Sequence, residues 1–330
     1  MAAYRSGKLM NDISVFIVTY NSAPLLRSCL DSLRAQTIKN FETIVVDNAS
    51  RDDSANIIRS EYPEIKLIPS ATNLGFANAC NLALADAHGS YIVLLNPDAV
   101  LPPETLERAL QHMEANPEVG MGGGLLQGTQ GEWQPSARLF PSLLNDGLTI
   151  SGLANRFPKS RFFGRFDRSW ADPLQAVAVD WVPGAFAIIR RSLLDQITLF
   201  DPRFFLYYEE VDLCRRIHQA GFKVFYWPDL VITHIGGASS ETVDELAFSS
   251  SGKQLTLWRM RSQLLYYRKW HGLMYSVLVK MLEQTWHYLR ALRNNSIAPH
   301  KASESRHLIQ LWKQAWQDTK GGKISPPQPW

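Results

Sequence analysis

The sequence predicts a doubly wound α/β protein with a mostly parallel sheet and a helical carboxyl-terminal extension. Three observations carry this expectation. Between residues 13 and 125, short β-branched apolar runs alternate with amphipathic stretches of helical period. Each apolar run there ends in a polar turn. Beyond Ser251 the strand-sized runs cease, and a helical pattern rich in Trp, Tyr, Leu, Lys and Arg takes over.

In chain order, the runs at 13–19, 42–47, 65–69 and 91–95 read as strands, with helices near 23–36, 53–61, 76–88 and 103–116 between them. Ser22 is placed to cap the first helix, Asp52 or Asp53 the second, and Gly89 stands where the third should stop. Residues 127–179, rich in Gly, Pro, Arg and Phe, read as loops and short pieces over one face of the sheet. A strand at 185–189, a helix over 209–220 halted by Gly221, and strands at 223–226 and 230–233 complete the pattern. Residues 325–330 form a Pro-rich tail expected to be unstructured.

Composition narrows the classes of function. A chain of 330 residues with 45% hydrophobic and 20% charged residues can bury a sizeable core. Cys29, Cys80 and Cys214 are far apart and show no CxxC spacing, so no disulfide framework or zinc cluster is expected, and a reducing cytoplasm fits. Residues 1–12 lack the apolar core of a secretory signal, and no run approaches the roughly 20 apolar residues of a spanning helix. A formal net charge of +3 does not argue for nucleic acid, although basic residues gather toward the carboxyl end.

In open α/β sheets, ligands sit outside the carboxyl ends of the strands. Here those ends run into Thr19-Tyr20-Asn21, Asp47-Asn48, Asn73-Leu74-Gly75 and Asn96-Pro97-Asp98. Asn, Asp and Gly are also ordinary turn formers, so it is their recurrence on one edge that matters. No Gly-x-Gly-x-x-Gly or Walker-type loop is present, and Gly122-Gly123-Gly124 matches neither. Asp47 can accept the ring N–H of a uracil or thymine, with Tyr20 offering an aromatic surface. Asp98 suits a hard divalent cation bridging two phosphates, and His234 can add an imidazole nitrogen. In the run Tyr207-Tyr208-Glu209-Glu210, paired carboxyls beside aromatic rings suit a general base of raised pKa, although acids in a first turn also simply favour the helix dipole.

These segments resemble glycosyltransferase family 2 with its GT-A fold, in particular bacterial rhamnosyltransferases. The resemblance covers roughly residues 13–270 and rests on VTYN (18–21), VVDNAS (45–50), NLGFANACN (73–81), LLNPDA (94–99), DWVPGAF (180–186), FFLYYEEVDLCRR (204–216) and THIGGAS (233–239). It implies a catalytic domain over 1–250, with a nucleotide-sugar half at 13–125 and an acceptor half at 126–250, followed by a helical region at 251–330. It implies that Thr19, Tyr20 and Asn21 line the nucleotide pocket, that Asp47 reads the pyrimidine, and that Asn73, Gly75, Asn78 and Asn81 are donor contacts. Asn96-Pro97-Asp98 stands in place of the family's Asp-x-Asp, making Asp98 a ligand of Mg2+ or Mn2+ with His234 as the second. Asn96 is left to bond a ribose hydroxyl. Trp181, Gly184 and Ala185 would wall the transferred sugar. Glu209-Glu210 replaces the common Glu-Asp pair, which makes Glu210 the base, with Glu209 beside it. The implied reaction is an inverting transfer of a sugar, dTDP-rhamnose being the favoured donor over UDP-hexoses, to a glycan or polyprenyl-diphosphate-linked acceptor of bacterial surface polysaccharide.

The helices after 251 carry Arg259, Arg261, Arg268, Lys269, Lys280, Arg290 and Arg293 among aromatic residues. Such helices can lie on the inner face of the cytoplasmic membrane, or pack on the catalytic domain or on a second subunit of a homo-oligomer. Two other classes share the sheet, nucleotide and metal: a nucleotidyltransferase, which would carry a basic Gly-rich phosphate loop after the first strand, and a non-catalytic nucleotide-sugar-binding relative.

Overall fold

The computed structural model describes residues 12–235 and 253–326. The amino-terminal polar stretch up to residue 11, Gly236-Gly237 after His234, the boundary at Ser251 and the last four residues of the tail lie outside the described residues. One sheet organises the chain, in the strand order β3-β2-β1-β4-β9-β6-β10-β5, with β7 beside β6 and β8 beside β10. Its strands are β1 (Ile13–Thr19), β2 (Phe41–Asp47), β3 (Lys66–Pro69), β4 (Tyr91–Leu95), β5 (Ala99–Val100), β6 (Val119–Gln127), β7 (Trp133–Gln134), β8 (Val177–Val179), β9 (Phe186–Arg190) and β10 (Lys223–His234). The first four match the expected runs to within one residue at either end. They pair in parallel, because each is followed by a helix that returns the chain across a face of the sheet. These helices are α1 (Ala23–Arg34), α2 (Ser54–Glu61) and α3 (Gly75–Ala85), with α4 (Thr105–Ala115) after β5.

β9 enters antiparallel between β4 and β6, and β10 pairs in parallel with β6. Two reversals restore the original direction, so β10 ends at the same edge as β1, β2 and β4. The glycine triplet that matched no phosphate loop lies inside β6. A Cβ on Gly122 would come within 1.8 Å of the Trp227 ring, and one on Gly124 within 2.2 Å of the Leu230 carbonyl oxygen. The triplet is thus there for close packing, which is why an apolar-run reading misses β6. The runs at 223–226 and 230–233 form a single strand whose register shifts between Trp227 and Val231. Pro228, which has no N–H to donate, falls in that irregularity.

Ser22 does not cap α1 through its side chain. Its hydroxyl turns to the Tyr20 carbonyl (3.3 Å), and Asp52 instead accepts the amides of both Ala23 (2.9 Å) and Ser54 (3.1 Å). One carboxylate therefore ties the starts of α1 and α2 together, where its charge also suits both helix dipoles. Residues 127–179 hold α5 (Leu143–Ile150), α6 (Leu153–Arg156), β7 and β8 among loops, as the composition suggested.

After β9 come α7 (Arg191–Ile197), α8 (Glu209–Gln219) and, beyond β10, α9 (Lys253–Asn294) and α10 (Pro299–Thr319). α9 breaks at Gly272, where φ is 81°. Before the break it packs into the catalytic core: Leu257, Met260, Leu264, Tyr266 and Tyr267 are buried in the cluster that holds Phe16, Ile44 and Leu94 of the sheet, and Trp312 and Ala315 of α10 join it. The three cysteines are free and buried. Among the described residues no helix is long and apolar enough to cross a membrane.

Candidate active site

Thr19 and Asp47 are register partners at the ends of β1 and β2. Both are buried, and Thr19 Oγ1 and Asp47 Oδ1 have no hydrogen-bond partner. A buried polar atom without a partner costs on the order of 1–3 kcal/mol, so the pair has the chemistry to bond a ligand's polar group. The turns behind them are held open by their own side chains. Asn21, in the left-handed region at φ 51°, accepts the Arg51 amide (2.7 Å), and Tyr20 sits between it and Thr19.

The third turn serves a different purpose. Asn73 Oδ1 takes hydrogen bonds from Asn48 Nδ2 and the Gly75 amide, both at 2.9 Å. A Cβ on Gly75 (φ 76°) would lie 2.2 Å from the Phe205 carbonyl oxygen, which accepts the Phe76 amide at 2.8 Å. Asn78 donates to the Leu74 and Pro202 carbonyls (3.2 and 3.3 Å). Asn81 forms a two-way clasp with the backbone of Phe200, donating at 2.9 Å and accepting at 3.0 Å. Asn78, Asn81 and the Gly75-Phe76 turn thus secure the segment 200–205 that leads into α8, while Asn73 holds the turn itself.

Asp98 and His234 meet because β5 pairs antiparallel with the end of β10, with Ala99 opposite His234. Asp98 is 4% exposed, its Oδ1 is without a hydrogen-bond partner, and His234 Nε2 is 3.5 Å away. His234 Nδ1 donates to Gln134 Oε1 (2.8 Å), and Gln134 Nε2 donates back to the His234 carbonyl (2.8 Å). This fixes the tautomer and leaves the Nε2 lone pair facing Asp98 and Asn96 Nδ2 (3.3 Å). An unpaired carboxylate oxygen and an oriented imidazole nitrogen are a donor set that fits a divalent cation. Gln134 lay in the segment whose loops hid its role, and its position one strand from His234 is visible only in three dimensions. Gln134→Leu is expected to weaken Mn2+ affinity by about 10- to 100-fold, read by Mn2+ titration of the purified protein; an unchanged affinity would remove Gln134 from this role.

Tyr207 and Tyr208, just before α8, both adopt φ 68°. Two successive non-glycine residues in the left-handed region are strained, and they aim the first turn of α8 into the cleft. Glu209 Oε2 and Glu210 Oε2 are buried without partners. Burial pushes both carboxyls up, Glu209 well above the carboxylate range with help from the charge of Glu210. Hydrogen bonds from its own and the Val211 amide, and the charge of Arg138, offset part of the rise at Glu210. The two carboxyls therefore titrate as one coupled pair, above the ordinary carboxylate range. Two residues on, the fully buried Asp212 anchors α8, accepting from Arg216 Nε (2.9 Å), Lys269 Nζ (2.6 Å) and Trp270 Nε1 (2.9 Å).

A cleft of about 970 Å3 brings together Asn96, Trp181, Gly184, Ala185, Glu209, Glu210 and His234. Trp181 donates its ring N–H to the Leu139 carbonyl (2.8 Å), and the Arg138 guanidinium lies 5.1 Å over its ring. The Ala185 carbonyl accepts the Asn96 amide (3.0 Å). Thr19, Tyr20, Asn21, Asp47, Asn73, Gly75, Asn78, Asn81 and Asp98 occupy the same sheet edge without lining this cleft. Arg138 and Arg259, which do line it, carried no signal in the sequence beyond their charge.

Comparison with known proteins gives the family of the chain. Residues 14–198, more than half the chain, match glycosyl transferase family 2. The N-acetylglucosaminyl-diphospho-decaprenol L-rhamnosyltransferase of Mycobacterium tuberculosis is 30% identical over 237 residues, covering 68% of this chain and 76% of that protein. Rhamnosyltransferase WbbL of Escherichia coli is 24% identical over 267 residues, covering 77% and 92%. Among solved structures, the mannosyltransferase PcManGT of Pyrobaculum calidifontis in complex with GDP-Man and Mn2+ superposes with a TM-score of 0.54 at 18% identity, over 93% of this chain and 87% of that one. With its mixed sheet, its matched segments and these relatives, the chain belongs to glycosyl transferase family 2 and is a glycosyltransferase similar to bacterial rhamnosyltransferases.

Proposed function

We propose that this glycosyltransferase moves rhamnose from dTDP-rhamnose to a saccharide carried on a polyprenyl diphosphate, with inversion, in the synthesis of a bacterial surface polysaccharide. The observation that carries the proposal is the coincidence of unsatisfied buried polar atoms with one sheet edge: Thr19 Oγ1, Asp47 Oδ1, Asp98 Oδ1, Glu209 Oε2 and Glu210 Oε2. The names of the two rhamnosyltransferase relatives support the sugar, and that of the mycobacterial one the lipid-linked acceptor.

In this reading Asp47 accepts the ring N–H of thymine, with Thr19, Tyr20 and Asn21 around the nucleotide. Asn73, Gly75, Asn78 and Asn81 are donor contacts on the third turn and its helix. Asp98 and His234 hold Mg2+ or Mn2+, which when bound neutralises charge on the departing diphosphate. Asn96 bonds a ribose hydroxyl, and Trp181, Gly184 and Ala185 wall the sugar. Glu210 takes the proton of the acceptor hydroxyl as its oxygen bonds the anomeric carbon. The bond from that carbon to the phosphate oxygen breaks, and the electron pair leaves with the nucleoside diphosphate. Among the described residues no third acidic, His or Cys side chain joins Asp98 and His234, so a cation held by them would take its remaining ligands from phosphate and water oxygens.

A thermal-shift screen of dTDP-rhamnose, UDP-hexoses and GDP-mannose, with and without Mn2+ or Mg2+, tests the donor. Only a ligand bound by the folded state raises the transition. A shift with dTDP-rhamnose that requires metal is the expected result; no shift with any nucleotide sugar would overturn the proposal.

The same reading places the enzyme on the inner face of the cytoplasmic membrane. Its support is that Met274, Leu278, Met281, Tyr288, Leu289 and Leu292 on α9 are exposed and recur at helical spacing on one face. Truncation near Ser251 would remove core residues, so the informative variant is the triple substitution Met274→Ser, Leu278→Ser, Met281→Ser. It is expected to reduce flotation with anionic vesicles; equal flotation would favour burial of this face against a second copy.

A further inference from the structure

The cleft that holds Glu210 continues beyond it to a second set of side chains, contributed by α5 and by both parts of α9: Asp146, Arg259, Glu283, Trp286, His287 and Arg290. The cations of the cleft are not equivalent. Arg138 Nε is taken by the Pro135 carbonyl (3.1 Å) and lies 3.2 Å from Asp167. Arg290 is paired with Glu304 at 2.8 Å. Arg259 is exposed in the cleft and, among the described residues, makes no hydrogen bond or ion pair. His287, 8% exposed and lining the same end, has a buried Nδ1 without a partner. A guanidinium with no hydrogen bond among the described residues, in the same cleft as an unsatisfied buried imidazole nitrogen, is a place prepared for an anion or a hydroxyl-rich ligand.

The acids of this end oppose an anion only weakly. Asp146 already accepts hydrogen bonds from Tyr267 (2.6 Å) and Gln263 (3.0 Å). Burial pushes its carboxyl up to about 6 and that of Glu283 up to about 7, so part of their charge is absent near neutral pH. The donor-side residues after β1 and β2, and Asp98, do not line the cleft, whereas Asn96 and His234 do. The second set of side chains is carried by α5 and α9, which hold none of the donor-side residues.

We propose that the inner end of the cleft is the acceptor subsite, that it takes a saccharide attached through a diphosphate, and that Arg259 reads the phosphate oxygens while the sugar lies between Arg259 and Glu210. The inference rests on the glycosyltransferase reading above and adds the location and charge of the acceptor. Arg suits the task because its planar fork can bond two phosphate oxygens at once, which a neutral side chain cannot. His287 supports it through the nitrogen that is otherwise unsatisfied.

The probe is octyl N-acetylglucosaminyl diphosphate, titrated calorimetrically into the full chain in EDTA so that metal at the donor edge plays no part. The wild type is expected to bind it, and Arg259→Ala to weaken binding by about 10- to 100-fold, as expected for loss of charged hydrogen bonds. Arg259→Lys should fall between the two, and the phosphate-free octyl N-acetylglucosaminide should bind wild type and Arg259→Ala alike. Binding of dTDP with Mn2+ should be the same in all variants, which also shows that each is folded. Absence of binding to the wild type, or equal affinities of wild type and Arg259→Ala, would overturn the subsite. Failure of dTDP to bind the wild type with Mn2+ would instead strike at the donor reading, a separate outcome in the same experiment.

Discussion

Glu210→Gln is expected to lower kcat by about 100- to 10,000-fold while leaving donor binding nearly intact. The substitution keeps the shape of the side chain and removes its proton affinity. Glu210 lies in the cleft with a buried, unpartnered carboxyl oxygen, and its position at the start of α8 is fixed by Asp212 behind it. Glu209→Gln should cost less, because it leaves the Glu210 carboxylate in place. Glu210→Asp keeps a carboxylate and should retain measurable activity. Normal turnover by Glu210→Gln with a dead Glu209→Gln would move the base by one residue; normal turnover by both would end the mechanism. The pH dependence has a definite sign. Because burial raises the Glu210 carboxyl, the free enzyme should gain activity as pH rises through the raised value, above the ordinary carboxylate range. Stability runs the other way. A carboxyl raised in the folded state contributes stability that is fully present below its unfolded pKa and lost as pH rises through its folded pKa. Glu210→Gln should flatten both profiles in that window.

Asp98→Ala is expected to abolish metal-dependent donor binding, a larger loss than the roughly 100-fold that removal of a supporting residue such as Gln134 brings. It leaves His234 as the single charged or imidazole ligand at the edge. His234→Ala should weaken binding less, because Asp98 retains the charge that attracts the cation. The substitution also has an unusual expectation for the metal-free protein. Asp98 is buried and its Oδ1 is unsatisfied, so removing it relieves a desolvation cost instead of breaking a bond. Thermal unfolding in EDTA should therefore show Asp98→Ala as stable as the wild type or more so, while Mn2+ should stabilise only the wild type. Unchanged Mn2+ affinity and turnover would remove Asp98 from the site.

The sheet was legible where apolar runs are β-branched and bounded by turns, as at Ile13–Thr19 and Tyr91–Leu95. It was illegible at β6, where glycine replaces apolar side chains to admit Trp227, Val182 and Leu230. Local signals cannot register a demand made by residues a hundred positions away. The same limit applies to the site. Asp98, His234 and the two glutamates were visible because their types carry chemistry in a recognisable order. Gln134 and Arg259 were not, because their roles come from pairing across the sheet and from the packing of α9 against α8. Asn78 and Asn81 show the converse case: polar residues at the right edge whose amides are engaged by the backbone of 200–205.

Leu257, Tyr266 and Tyr267 before Gly272, together with Trp312 near the end of α10, occupy the same buried cluster as Phe16 of the first strand. During synthesis the amino-terminal sheet therefore emerges with one flank uncovered, and it cannot close until α9 and α10 have followed it out of the ribosome. The nascent protein passes through a stage in which a formed sheet exposes apolar surface, the condition under which chaperone binding and aggregation compete with folding.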